Sequence, residues 1–170
     1  FDESPLVDEI ILVVRDGMQD DVKQLGAKFK KKFQVIAGGA ERQDSVWNGL
    51  EAVSAKTEIV VIQDGARPCA SLELIAATID TAREIGAAVA AQPVTDTIKE
   101  SRDGKIVERT LDRSKLWAVQ TPQTFRIEII RRALAEVRKR GLVVTDDTAA
   151  CELIGQPVKL VASALPNPKV

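Results

Sequence analysis

Histidine and tyrosine are absent from the 170 residues, and cysteine occurs only twice. Without histidine, no Ser-His triad, no imidazole-ligated metal and no imidazole acid–base step can be built from these residues. Cys69 and Cys151 sit in unrelated contexts. They give neither a disulfide framework nor zinc-ligand spacing, so a reducing cytoplasm is the expected compartment. No apolar run approaches the length of a membrane helix, and no signal peptide is visible. An excess of one charge is lacking as well. Lys plus Arg number 24 and Asp plus Glu 25, for a net charge of −1. A balanced surface has no general pull toward nucleic acid or an anionic membrane, although local basic clusters can still hold phosphate. What remains is a chain with 45% apolar residues, enough for one domain, residues 1–170, with a sizeable core.

Strand and helix signals alternate along it. Residues 8–14 (DEIILVV), 33–38 (FQVIAG), 59–63, 87–94 (AAVAAQPV) and 157–163 (PVKLVAS) read as strands. Residues 18–32, 42–55, 71–86, 126–141 and 145–155 read as helices. Ser71 is placed to cap the third and Gly86 to end it. In the fourth, Ile127, Ile130, Ala133, Leu134 and Val137 share a face. Thr145 is expected to cap the fifth. Such alternation predicts an α/β fold, a Rossmann-like, mostly parallel sheet with helices on both faces. Residues 95–113 break the pattern. They are polar, with a turn signal at Arg102-Asp103-Gly104, and predict a β-hairpin arm. An isolated two-stranded ribbon is marginal in water, so the arm needs a surface to lean on, for which a second subunit is the natural candidate.

The polar islands between these elements carry the chemistry. Ile59-Val60-Val61-Ile62 runs into Gln63-Asp64-Gly65-Ala66-Arg67-Pro68. An acid at the carboxyl end of a buried strand lies where open α/β sheets bind ligands. On position alone, Asp64 is as well explained by a turn, its carboxylate accepting from nearby amides, as by a metal. Arg67 beside it suits bracing of the loop at least as well as ligand contact. Gly38 and Gly39 permit close backbone approach, to a ligand or within a turn. Arg42 and Ser45 follow them near a helix N-terminus, which favours anions. Lys169, in Pro166-Asn167-Pro168-Lys169-Val170, would by itself be a solvated surface lysine.

Taken in order, the islands GGAERQDSV (38–46), QDGARP (63–68), PVTDTIK (93–99), TLDRSKLWAVQTPQTF (110–125), VTDDTAACE (144–152) and PNPKV (166–170) resemble the 2-C-methyl-D-erythritol 4-phosphate cytidylyltransferase family over nearly the whole chain. The resemblance implies a reaction in which the phosphate of 2-C-methyl-D-erythritol 4-phosphate attacks the α-phosphorus of CTP. Pyrophosphate leaves, and the product is a CDP-alcohol used in isoprenoid precursor synthesis. It also implies Mg²⁺ or another divalent cation, and a homodimer formed through the arm 95–113. Asp64 would be the metal and triphosphate ligand. Gly38, Gly39, Arg42, Ser45, Asp64 and Ala66 would bind CTP. Thr97 and Arg113 on the arm, with Thr121, Thr145 and Lys169, would hold the substrate phosphate, and Lys169 with Asp64 would be catalytic. Asp96 would orient its limb of the arm, and Asp146 is a second acid that the metal or a helix first turn would explain. The family's first strand and glycine-rich loop, with an arginine and a lysine that clasp the triphosphate, and its C-terminal tail have no counterpart in these residues and are expected beyond both ends. A ribitol 5-phosphate cytidylyltransferase would share CTP, metal and fold. A nucleotide-binding module without chemistry and a purely dimerising protein are the readings from other classes.

Overall fold

Residues 71–86 show how local signals become structure. In the computed structural model, which describes residues 1–26 and 28–170, the Ser71 hydroxyl accepts from the Leu74 amide at 3.2 Å. The helix it opens ends on Gly86, whose φ of 101° suits a residue without Cβ. The element order is β1 (Glu9–Val14), α1 (Gln19–Gly26), β2 (Lys32–Ala37), α2 (Arg42–Ala52), β3 (Ile59–Ile62), α3 (Leu72–Ile85) and β4 (Ala87–Pro93). There follow β5 (Lys99–Glu100), β6 (Arg109–Thr110), a 3-10 turn (Arg113–Lys115), β7 (Trp117–Arg126), α4 (Ile127–Arg140), α5 (Asp147–Leu153) and β8 (Lys159–Ala162).

The strands form a parallel pair β1–β2, a four-stranded sheet in the order β3-β7-β4-β8, and the short antiparallel ribbon β5–β6. Within the four-stranded sheet β3, β4 and β8 run one way and β7 alone runs against them. Helices cover both faces. On β7, the Thr124 hydroxyl hydrogen-bonds Thr78 of α3 at 3.0 Å, while its neighbour Phe125 packs in the core with Ile130, Ala133 and Leu134 of α4. Adjacent strand residues point to opposite faces, so α3 and α4 lie on opposite sides. Helix α2 touches β1, β2 and α4 and so joins the parallel pair to the larger sheet. Glu9, at the start of β1, adds a tie, accepting from the Ser54 amide at 2.7 Å.

Three expectations need correcting. The helix expected over 18–32 gives way earlier: α1 ends at Gly26 and Lys32 already opens β2. The Lys30 and Lys31 amides donate to the Asp2 carboxylate at 2.9 and 3.1 Å, bonds that a continuing helix would have taken for itself. Residue 27 lies outside the described residues. Thr145 is not the cap of α5. Asp146 is, with extended backbone and a carboxylate that accepts from the Ala149 amide at 2.9 Å. An acceptor one residue nearer the helix takes the role. Finally, β7 was not expected as a strand, and it is the longest of the sheet. Three of its buried residues, Thr121, Gln123 and Thr124, are polar.

The arm exists, but its paired part is short. Lys99 faces Thr110 and Glu100 faces Arg109, and residues 101–108 form an open end. There the Asp103 carboxylate accepts from the Lys105 and Ile106 amides, and Gly104 takes a φ of 70°. Ile106 is 71% and Val107 56% exposed. No helix among the described residues is long and apolar enough to cross a membrane.

Candidate active site

The turn after β3 places Asp64 among three cations. Lys169 Nζ lies 3.1 Å from Oδ2, Arg67 Nε 3.7 Å from Oδ2 and Arg42 Nε 3.9 Å from Oδ1. The carboxylate is anchored from behind, because its own amide donates to the Thr121 hydroxyl on β7 at 3.1 Å. The Arg67 amide closes the turn on the Asp64 carbonyl at 3.0 Å.

Residues 166–170 are stitched over this turn. Asn167 is buried and donates through Nδ2 to the Thr121 carbonyl at 2.7 Å and to Gln120 Oε1 at 3.1 Å. Arg67 Nη1 donates to the Asn167 carbonyl at 2.7 Å, and the Val170 amide to the Ala66 carbonyl at 2.8 Å. Lys169 stands between these two fixed points, so its backbone is held independently of its own ion pair. Asn167 was not anticipated as a site residue, and nothing in its Pro-flanked context marks it. Its partners lie 46 and 47 residues away.

On the other flank, the Gly38 amide donates to the Val14 carbonyl at 2.7 Å, fixing the end of β2 to the end of β1. A Cβ on Gly38 would stand 2.7 Å from Ser45 Oγ, and one on Gly39 would stand 2.3 Å from Asp44 Cβ. Both glycines are therefore required by close approach to the first turn of α2. Ser45 completes that turn: its hydroxyl accepts from the Gly39 amide at 3.0 Å. The Glu41 amide donates to the Asp44 carboxylate at 3.2 Å. This geometry brings Arg42, the first residue of α2, across to Asp64. Its Nη2 also lies 2.7 Å from Oδ2 of Asp147, the first residue of α5.

The Asp147 carboxylate is fully buried. Burial pushes its pKa above the ordinary aspartate value, and the nearby Asp146 and Asp64 charges push the same way, while Arg42 pulls it down. Arg42 is held above its usual value in spite of burial, because Asp147, Asp64 and Asp146 all favour its charge. A surface concavity of about 540 Å³ is lined by Lys23, Lys31, Phe33, Gln34 and Val35, none of them a candidate residue. The chemistry lies instead at the Asp64 cluster, where four charged groups converge at the carboxyl end of a strand.

The family model for 2-C-methyl-D-erythritol 4-phosphate cytidylyltransferase matches residues 1–170. The chain belongs to that family. It is 44% identical over 173 residues to the 2-C-methyl-D-erythritol 4-phosphate cytidylyltransferase of Desulforamulus reducens, a match covering all of this chain and 74% of the relative. Among solved structures, it is similar to the 4-diphosphocytidyl-2C-methyl-D-erythritol synthase of Anaerococcus prevotii, with a TM-score of 0.91 and 32% identity, over 99% of this chain and 75% of the other. The 2-C-methyl-D-erythritol 4-phosphate cytidylyltransferase of Thermus thermophilus gives a TM-score of 0.81 at 33% identity, over 95% of this chain and 75% of the other.

For a cytidylyltransferase of this family, the structure gathers Gly38, Gly39, Arg42, Ser45, Asp64, Ala66, Thr121 and Lys169 into one connected region. Thr121 braces it from within, its hydroxyl accepting from the Asp64 amide and keeping its own O–H to donate. Arg67 braces in the same way, through the Asn167 carbonyl. Three other candidates stand apart. Arg113 Nη1 donates at 2.6 Å to the Thr95 carbonyl at the base of the arm. Thr97 is exposed on the arm, and Thr145 is exposed before α5. No hydrogen bond or ion pair among the described residues links these three to Asp64.

A divalent cation is tested by the donor set. Among the described residues no group of three or more His, Cys, Asp or Glu side chains is arranged to hold a metal. Asp64 offers a single carboxylate, 20% exposed. That is poor for a structural metal. It fits Mg²⁺, which keeps several waters and takes one or two carboxylates together with substrate phosphates.

Proposed function

We propose that this protein joins CTP and 2-C-methyl-D-erythritol 4-phosphate, releasing pyrophosphate, in isoprenoid precursor synthesis. The observation that carries this reading is the convergence of Arg42, Arg67 and Lys169 on Asp64 in a chain of this family. An oxygen of the acceptor phosphate forms a bond to the α-phosphorus of CTP. The bond from that phosphorus to the β-phosphate bridging oxygen breaks, and pyrophosphate takes the electron pair. Both reactants are anions, so the protein's task is to bring them together in line and to offset charge.

Arg42, Ser45, Gly38, Gly39 and Ala66 border the region assigned to the nucleotide. Lys169 supplies positive charge beside the transferring phosphate. Asp64 is the residue that would hold Mg²⁺, which when bound would neutralise triphosphate charge. Were Asp64 to hold the cation, the Lys169 ammonium now paired with that carboxylate would be available to the phosphates.

The acceptor side of the reading needs a second copy of the chain. Thr97 and Arg113 are away from Asp64, and Ile106 and Val107 are uncovered on an arm without a core of its own. A two-fold dimer would cover the arm and bring it to the partner's site. Cytoplasmic location is part of the same reading, and two free cysteines are compatible with it.

The test is CTP-dependent pyrophosphate release with Mg²⁺, comparing 2-C-methyl-D-erythritol 4-phosphate with ribitol 5-phosphate as acceptor. Turnover confined to the first supports the reading. Turnover confined to the second moves the enzyme to the other acceptor, and turnover with neither refutes it.

A further inference from the structure

Among the described residues, Asp147 is the buried carboxylate that the proposed chemistry does not use. It has no solvent exposure, and neither oxygen has a hydrogen-bond donor in proper alignment. The group that faces it is the Arg42 guanidinium, whose Nη2 lies 2.7 Å from Oδ2 in an ion pair that is off hydrogen-bond alignment. The same guanidinium extends outward: Nε comes to 3.9 Å from Asp64 Oδ1, and the side chain is 40% exposed. Arg42 therefore spans from a buried acid to the acid at the strand end, with part of its donor surface open.

The buried end of this span is rigid. The Asp147 amide donates to Gln123 Oε1 at 3.2 Å, and Gln123 Nε2 donates to Asp146 Oδ2 at 2.9 Å. Asp146 in turn caps α5 through the Ala149 amide. Strand β7 and helix α5 thus fix Asp147 from two directions. A buried, unsolvated carboxylate is costly unless a cation pairs with it, and an apolar side chain would fill such a place without that cost. Here the pairing cation is a fork whose other donors stand at the site. A fork held at one nitrogen loses less freedom when its remaining donors bind a ligand.

We propose that Asp147 is a positioning residue for CTP. It anchors Arg42 from behind, so that the open donors of the guanidinium are preset toward the nucleotide beside Asp64. The inference rests on reading Arg42 as a CTP contact, and the experiment separates the two claims. Steady-state kinetics, with each substrate varied in turn while the other is saturating, are measured for wild type, Asp147→Asn, Arg42→Met and the double variant. Asp147→Asn is expected to raise KM for CTP about tenfold, within the roughly 100-fold that a misplacement of about 1 Å can cost. KM for the acceptor stays near wild type. Arg42→Met raises KM for CTP at least as much, and Asp147→Asn adds nothing further in the Arg42→Met background.

A wild-type KM for CTP in Asp147→Asn, with a raised one in Arg42→Met, overturns the positioning role and leaves Arg42 as a CTP contact. Additive effects in the double variant, or equal rises for both substrates, also overturn it, because a general packing defect would act in that way. A wild-type KM in Arg42→Met removes the CTP contact and the inference together. If Asp147→Asn does not fold, Arg42→Lys decides. A point charge can neutralise Asp147 but cannot span to Asp64. Its KM for CTP should rise while its melting temperature holds, and a wild-type KM overturns the proposal.

Discussion

Lys169→Ala separates stability from chemistry. The substitution removes an ammonium 3.1 Å from Asp64 Oδ2, on a side chain that is 61% exposed. An ion pair so open to solvent contributes roughly 0–1 kcal/mol. Its loss is softened further because Arg67 and Arg42 remain near the same carboxylate. The backbone on either side is held by Asn167 and by the Val170 amide, which do not need the lysine side chain. The melting temperature should therefore fall by no more than about 4 °C, the shift expected for about 1 kcal/mol in a domain of this size. Catalysis follows a different scale. A preorganised donor at developing charge is worth about 2.7–4 kcal/mol, or roughly 100- to 1,000-fold in kcat. Pyrophosphate release with both substrates saturating, and a thermal melt on the same preparation, give the two numbers. A wild-type kcat refutes the role of Lys169. A loss of kcat that comes with a melting shift well beyond about 4 °C would mean instead that the lysine holds residues 166–170 in place.

Asp64→Asn keeps size and removes the charge, so kcat should fall by at least about 100-fold at every Mg²⁺ concentration while the fold survives; normal turnover across a Mg²⁺ titration would remove Asp64 as the metal residue. Mixing an Arg113→Ala chain with an Asp64→Ala chain tests the shared site. Random pairing puts about half of the subunits' dimers in mixed form, each with one intact site of two, so up to about a quarter of wild-type activity should return. No recovery between chains that demonstrably exchange would show that the arm does not act across the dimer. Glu9 gives a pH test. Burial pushes its carboxyl up, but the Ser54 amide, Lys32 and Thr57 outweigh that and hold it below 4.5. A depressed folded-state pKa adds stability above the unfolded value that is lost as pH falls through the folded one. Glu9→Gln should therefore be about 1–3 kcal/mol less stable at neutral pH, and the gap should narrow below pH 4.5. Parallel stability curves across that range would show that the carboxylate is not the group that matters.

The elements whose causes are local were legible in the sequence. Helix α3 lies between Ser71 and Gly86, as its cap and stop residues dictate, and α4 buries Ile130, Ala133, Leu134 and Val137 as its period predicts. The apolar runs became β1, β3 and β4, because a run of four to seven apolar residues between polar turns has few other places to go. The position of Asp64 at a strand end was legible for the same reason. Strand β7 was not. Thr121, Gln123 and Thr124 read as a polar loop, and they are buried only because each polar group has a distant partner: the Asp64 amide, Asp146 with the Asp147 amide, and Thr78. A buried polar strand is affordable once those partners are in place, and no window of neighbouring residues contains them. The cap of α5 turned on a choice between adjacent acceptors, Thr145 and Asp146, that composition leaves open. The ion pairs at the site were also beyond local reading. Lys169 and Asp64 are 105 residues apart, and Arg42 meets Asp147 only because the fold brings the first residue of α2 to the first residue of α5. The sequence determined which charged groups exist and which elements carry them. The tertiary structure decided which of those charges meet, because electrostatic pairing acts over a few ångströms of space and ignores distance along the chain.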